Sequence, residues 1–227
     1  MDVDVGVVYA EGRRRVGGLV AGLDAEGAAT TVPACPEWSV KDVVAHLTGI
    51  CADVLAGNLE GVATDPWTAA QVEARRSASL GEVVAEWNEL APQVEAMAAD
   101  FGPAGHQWVG DFATHEHDIR GALRQPASRD SQAVAIGVEF IAAGFLASVA
   151  DRGLPVLALE AGDWRSTSGA GTPAATLVAE PFELLRAMTG RRSAEQVAAL
   201  GWSTDPGPWL GCLDWGPFTV RPDPLDE

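Results

Sequence analysis

Up to about residue 152, apolar positions recur at three- and four-residue spacing, the period of a helix with one buried face. Val5, Val8, Gly12, Val16, Leu19 and Leu23 predict a first helix over about Val3 to Leu23. The stretch "DAEGAATTVPACPEW", rich in small residues and proline, reads as a loop. Ser39 and Asp42 then form an S-x-x-D capping box, with Trp38 and Val43 in the positions of a hydrophobic staple. The helix they open carries the stripe Val43, Leu47, Ile50, Val54, and His46 falls inside that stripe or at its margin. "GVATDPWTAAQ" reads as a second loop. Ser79 and Glu82 cap a third helix that runs through Val83, Trp87, Leu90, Val94 and Met97 until "DFGPAGHQ" breaks it. A fourth helix carries Trp108, Phe112, His115, Ile119 and Ala122 on one stripe, and a fifth spans about Ser131 to Arg152. Up-and-down helices with connecting loops imply an antiparallel bundle.

Near Gly153 the period shortens to two. Runs at 156–161 and 174–179 predict strands around Gly-rich turns. "EPFELLRAMTG" predicts a short helix with Pro181 at its first position and Gly190 past its end. "SAEQVAALG" predicts another, capped by Ser193 and Gln196, and "PFTVR" in the Pro- and Trp-rich tail is a possible strand. The expected fold class is therefore α+β, with a helical bundle over 1–152 and a small α/β domain over 153–227.

Composition narrows the function. The 227 residues hold 32 acidic against 15 basic side chains, a net charge of −17. That argues against sequence-independent nucleic-acid binding and against docking on anionic lipid. Three cysteines without a C-x-x-C pair are neither a disulfide framework nor a thiolate zinc site. The N-terminus carries acid before base, the wrong polarity for a signal peptide. The apolar stretch "AVAIGVEFIAAGFLASVA" (133–150) is long enough to span a membrane, but it contains Glu139 and many Ala and Gly residues. It reads instead as a buried helix between domains, and the expected setting is cytoplasmic.

The candidate chemistry lies in "DFATHEHDIRGAL" (111–123). Asp111 and His115 are four apart and share one helical face, the spacing that lets one helix supply two ligands to one ion. His46 adds an inward imidazole from another helix. Two imidazoles and a carboxylate suit zinc or a similar divalent ion, with positions left open for water or substrate. The competing reading is ordinary hydrogen-bonded or solvated side chains. His106 reads as loop surface. His117, about 200° around the helix from His115, and Glu116 read as the outward side. Asp118, one turn beyond His115, either accepts that imidazole's second N–H or stands as an exposed carboxylate. Arg191 and Arg192 are candidates for an anionic substrate or cosubstrate, against a role in complementing a helix dipole or a surface acid. Cys35 has no base placed beside it by sequence.

These residues carry a resemblance. "VPACPEWSVKDVVAHLTGI", with Pro33, Cys35, Trp38, Ser39, Asp42 and His46, resembles the second-helix segment of the mycothiol-dependent maleylpyruvate isomerase family, a branch of the DinB-like metal-binding bundles. Asp111, His115 and Asp118, followed by "DIRGAL", resemble its second motif, and "AEPFELLRAMTGRRS" resembles its sterol-carrier-like end domain. The resemblance implies a DinB-like bundle holding a divalent metal, zinc foremost, on His46, Asp111 and His115. It further implies mycothiol or another low-molecular-weight thiol as cosubstrate and a small electrophile as substrate. The expected activity is isomerisation or S-transfer by a monomer or homodimer, with hydrolysis or a non-catalytic metal-stabilised protein as alternatives. One departure stands out: the family's carboxylate ligand is glutamate, and Asp111 is one methylene shorter, so the ion must sit nearer this helix or bind through another geometry.

Overall fold

The computed structural model describes residues 3–227. It is α+β, with a helical unit that ends at Ala127 and includes Glu227, and a second unit over Ser128–Asp226.

In the first unit the capping boxes start helices where the sequence places them. The Asp4 carboxylate accepts from the amides of Gly6 and Val7 at the start of α1 (Val5–Val20), and Asp24 caps the single turn α2 (Ala25–Ala28). The Ser39–Asp42 box opens α3 (Val40–Ala56) and the Ser79–Glu82 box opens α5 (Leu80–Met97), with side chain and backbone satisfied reciprocally in both. Between them lies α4 (Asp65–Ala74), in the stretch expected to be a loop. Its start signal is Thr64 at the cap with Asp65 and Pro66 in the first turn. A 3-10 turn, Ala98–Phe101, leads into α6 (Pro103–Leu123), so the expected break before the fourth helix is short and His106 is helical rather than loop. Helix α3 packs on α4, α5 and α6, and α1 packs on α5 and α6.

The core centres on Tyr9. Its ring stacks on Trp108 at 3.7 Å between centroids, and its hydroxyl accepts from the Trp87 indole at 3.1 Å. Gly12 lets α1 approach α6 closely, since a Cβ there would lie 2.2 Å from the Phe112 ring.

The second unit starts with α7 (Gln132–Asp151), capped by Ser131. The change of period at 153 is the end of this helix, whereas the compact units divide before it, because α7 packs on the strands and helix that follow. Its exposed positions include Ala135, Ala143, Ala147 and Ala150 beside Glu139, so alanine accounts for much of the apolar character of its outward side. Strands β1 (Leu157–Ala161), β2 (Trp164–Thr167) and β3 (Ala175–Val178) precede α8 (Pro181–Met188) and α9 (Ala194–Ala198). The short strand β4 (Gly201–Trp202) and the turn α10 (Gly207–Leu210) follow. The sheet order is β2-β1-β3-β4, with β1 parallel to β3 and the other pairs antiparallel. The possible strand at "PFTVR" does not form; Phe218 and Arg221 make only isolated bridges, to Trp215 and Ser193.

Candidate metal centre

Three side chains from two helices of the first unit converge. His46 stands on α3, and Asp111 and His115 stand one turn apart on α6. One ligand atom from each lies within 4.8 Å of the others. His46 Nε2 is 3.4 Å from Asp111 Oδ2, and His115 Nε2 is 3.7 Å from Asp111 Oδ1. These separations exceed an ordinary hydrogen bond.

The other ring nitrogens explain why both Nε2 atoms face the carboxylate. His115 Nδ1 is 3.0 Å from Oδ2 of Asp118, whose side chain has no exposed surface. A carboxylate only accepts here, so Nδ1 carries the proton and Nε2 presents a lone pair. His46 Nδ1 is 2.7 Å from Oε1 of Gln71, and Gln71 Nε2 donates to Asp53 Oδ2 at 2.6 Å. That second bond orients the amide with its oxygen toward His46, so His46 too is protonated at Nδ1. Two imidazole lone pairs and an anionic carboxylate therefore point at a common space. Such a set of acceptors is unfavourable alone and is the donor set that zinc and similar divalent ions take.

Trp38, from the loop before α3, packs over both rings, with centroids 5.2 Å from His46 and 5.7 Å from His115. It shields one side. The imidazoles are nearly buried, at 4% and 10% side-chain exposure, whereas Asp111 is 35% exposed, so the cluster opens to solvent along the carboxylate.

The residues expected on the outward side of α6 are not outward. Every residue from Phe112 to Arg120 is buried. Glu116 lies between two guanidinium groups, accepting from Arg15 at 2.7 and 2.9 Å and from Arg120 at 2.9 and 3.1 Å. Compensated charge lets this polar face enter the interior, and His117 beside it is 3% exposed. Sequence periodicity carries no information about a partner on α1.

Arg191 and Arg192 lie in the second unit after α8. The Arg192 fork is engaged by Glu183, with Nε to Oε2 at 2.8 Å and Nη2 to Oε1 at 3.0 Å, and it is buried beside Phe182. Arg191 donates from Nη1 to the Thr189 carbonyl. Arg192 is thus held in a bidentate ion pair within its own unit. Burial pushes the Cys51 thiol up to about 11, with a smaller opposing effect from the Tyr9 hydroxyl at 3.6 Å, so it is a poor nucleophile.

Sequence reasoning missed Gln71, Asp53 and the placement of Trp38 over the imidazoles. Gln71 was hidden because its helix was read as a loop; the Thr64-Asp65-Pro66 start signal is what reveals it.

A family model described as the mycothiol maleylpyruvate isomerase N-terminal domain matches residues 9–133. Among solved structures, a histidine-to-alanine mutant of the mycothiol-dependent maleylpyruvate isomerase superposes with a TM-score of 0.61 at 10% identity. That match covers 88% of this chain and 92% of the other, and at such identity the likeness is one of fold. No curated protein matches the chain in sequence.

Proposed function

The chain belongs to the mycothiol-dependent maleylpyruvate isomerase family, whose N-terminal domain model spans more than half of it, and from that premise we propose that it is a metal-dependent enzyme using a low-molecular-weight thiol. The observation that carries the reading is the convergence of His46 Nε2, His115 Nε2 and the Asp111 carboxylate, with both Nδ1 atoms held by acceptors. In this reading His46, Asp111 and His115 hold a divalent ion, zinc foremost, and the thiol is mycothiol or a chemical relative. The bound ion would supply a Lewis acid that favours thiolate over thiol at neutral pH.

This chain's residues do the rest. Gln71 and Asp118 hold the imidazoles in the tautomer that leaves Nε2 free of protons. Trp38 excludes water from one side of the cluster. The exposed edge at Asp111 is the approach for thiol and electrophile. Addition of the sulfur to a conjugated carbon, rotation and elimination of the thiolate amount to isomerisation; retention of the C–S bond, with a proton from solvent taken up at the neighbouring carbon or a halide expelled from an aryl substrate, amounts to S-transfer. The acidic net charge fits an enzyme of small molecules rather than a protein that docks on nucleic acid or anionic lipid, and the proposed setting is the cytoplasm.

Elemental analysis of the wild type and of His46→Ala and His115→Ala tests the ligand set, with about one ion per chain expected only in the wild type. Isothermal titration of mycothiol in buffers of differing ionisation enthalpy should then show proton release. Turnover of a conjugated dicarbonyl or an aryl halide should require both thiol and metal. Full metal loading without binding of any cellular thiol would overturn the thiol-using reading and leave hydrolysis or a structural ion.

A further inference from the structure

Gln71 is placed where a support for the ion centre would be, on a helix that contributes no ligand. It is 3% exposed and bridges two residues of α3, accepting from His46 Nδ1 at 2.7 Å and donating to Asp53 Oδ2 at 2.6 Å. Each end of the bridge is itself anchored. Asp53 Oδ1 accepts from the Asn58 side-chain amide at 2.8 Å, which fixes the carboxylate. Arg75 donates to the Gln71 carbonyl at 3.1 Å and forms a two-pronged pair with Glu86 of α5, which fixes α4. Gly49 supplies the room: a Cβ there would lie 2.4 Å from the Gln71 Cβ.

We propose that Gln71 is a positioning residue that sets the tautomer and ring orientation of His46, with Asp53 fixing which end of its amide faces the imidazole. The inference rests on the metal reading for its purpose but not for its geometry. An amide presents either an acceptor or a donor to a neighbour, and the wrong end would demand an Nε2–H tautomer, turning a lone pair at the centre into a proton. Asp53 removes that ambiguity because a carboxylate only accepts. The two histidines are therefore held by unlike supports: a charged carboxylate behind His115 and a neutral amide, itself charge-anchored, behind His46.

The test compares wild type, Gln71→Leu, Asp53→Asn and the double variant Gln71→Glu with Asp53→Asn. The double variant exchanges acid and amide: the amide at 53 donates to the carboxylate at 71, which accepts from His46 as before, at unchanged charge. Long-range nitrogen–proton correlation spectra of the metal-free protein read the His46 tautomer directly. Wild type and the double variant should show Nδ1–H; Gln71→Leu should show Nε2–H or a mixture. Competition against a chromophoric chelator should show zinc affinity reduced about 10- to 100-fold in Gln71→Leu, the usual range for loss of such a partner. The double variant should recover most of it, which a merely structural role for Gln71 would not predict. Nδ1–H at His46 in folded Gln71→Leu, or no recovery in a folded double variant, would overturn the proposal. If the wild type binds no ion, the metal reading fails, while the tautomer spectra still decide the role of Gln71.

Discussion

Asp118 Oδ2 lies 3.0 Å from Nδ1 of His115, one turn along the same helix, in a side chain with no exposed surface. The pair orients the imidazole and leaves the Nε2 lone pair facing Asp111. Asp118→Ala should therefore lower zinc affinity about 10- to 100-fold while Asp111 and both histidines remain in place. Chelator competition measures it, with circular dichroism of the metal-free protein as the control for folding. Wild-type affinity in the variant would remove Asp118 from the support of the centre.

Histidines two residues apart on α6 should separate stability from metal binding. His115→Ala should lose the ion. His117→Ala, at a site only 3% exposed in the wild type, should keep it yet lower unfolding free energy by roughly 1–3 kcal/mol, the cost of disturbing a buried polar group. Metal analysis together with urea unfolding distinguishes the two effects, and loss of metal from folded His117→Ala would refute the division of roles.

Glu116 neutralises a buried cation, and its removal should cost more than removal of its outer partner. Glu116→Ala leaves Arg120, 8% exposed at its side chain, without that carboxylate. A loss of about 3–5 kcal/mol is expected. Arg15 is 28% exposed, so Arg15→Ala should cost less, because Glu116 keeps Arg120 and the loss is screened by solvent. Equal unfolding midpoints for the two variants would contradict this ordering.

Gly12→Ala should destabilise the first unit by about 1–3 kcal/mol, the range for overpacking a filled core, since the added carbon would meet Phe112 at 2.2 Å. Adding Phe112→Leu should recover part of the loss. Urea denaturation of both variants provides the measurement, and an unshifted midpoint for Gly12→Ala would show that the two helices part without cost.

Stability should fall at alkaline pH. Burial raises the Cys51 thiol from 9.0 to about 11 in the folded chain. A raised pKa means that the folded state holds the proton more tightly. Its contribution is complete below pH 9 and is lost as pH climbs toward 11. Tyr9, raised by burial and by Cys51, adds to the same trend from pH 10 upward. Cys51→Ala should show a shallower alkaline decline in melting temperature, and an identical slope would show that folding does not raise the thiol's pKa.

Much of this protein was legible in its sequence because the signals are local. Capping boxes at Ser39, Ser79 and Ser193 need only three residues and their own amides, and all three form. Asp111 and His115 share a face because helical geometry puts residues four apart together. Strand β2 and its hairpin with β1 were missed, although the signal is local: two residues, Gly162 and Asp163, separate the paired Ala161 and Trp164, and Gly162 has φ +59°.

Other features depended on residues far apart in the chain. Glu116 is buried only because Arg15, 101 positions away, brings a compensating charge to it. Helix α7 belongs with the strands that follow it because packing, not period, decides which apolar surfaces meet. The tautomer of His46 is set by an amide 25 residues on, held by a carboxylate from the histidine's own helix. Hydrogen bonds within a turn are written into neighbouring residues, so the sequence alone determined the helix starts and the face that Asp111 and His115 share. Charge compensation, amide orientation and the match of apolar surfaces arise only when distant segments pack, so only the tertiary structure decided which polar groups could be buried and which lone pairs converge.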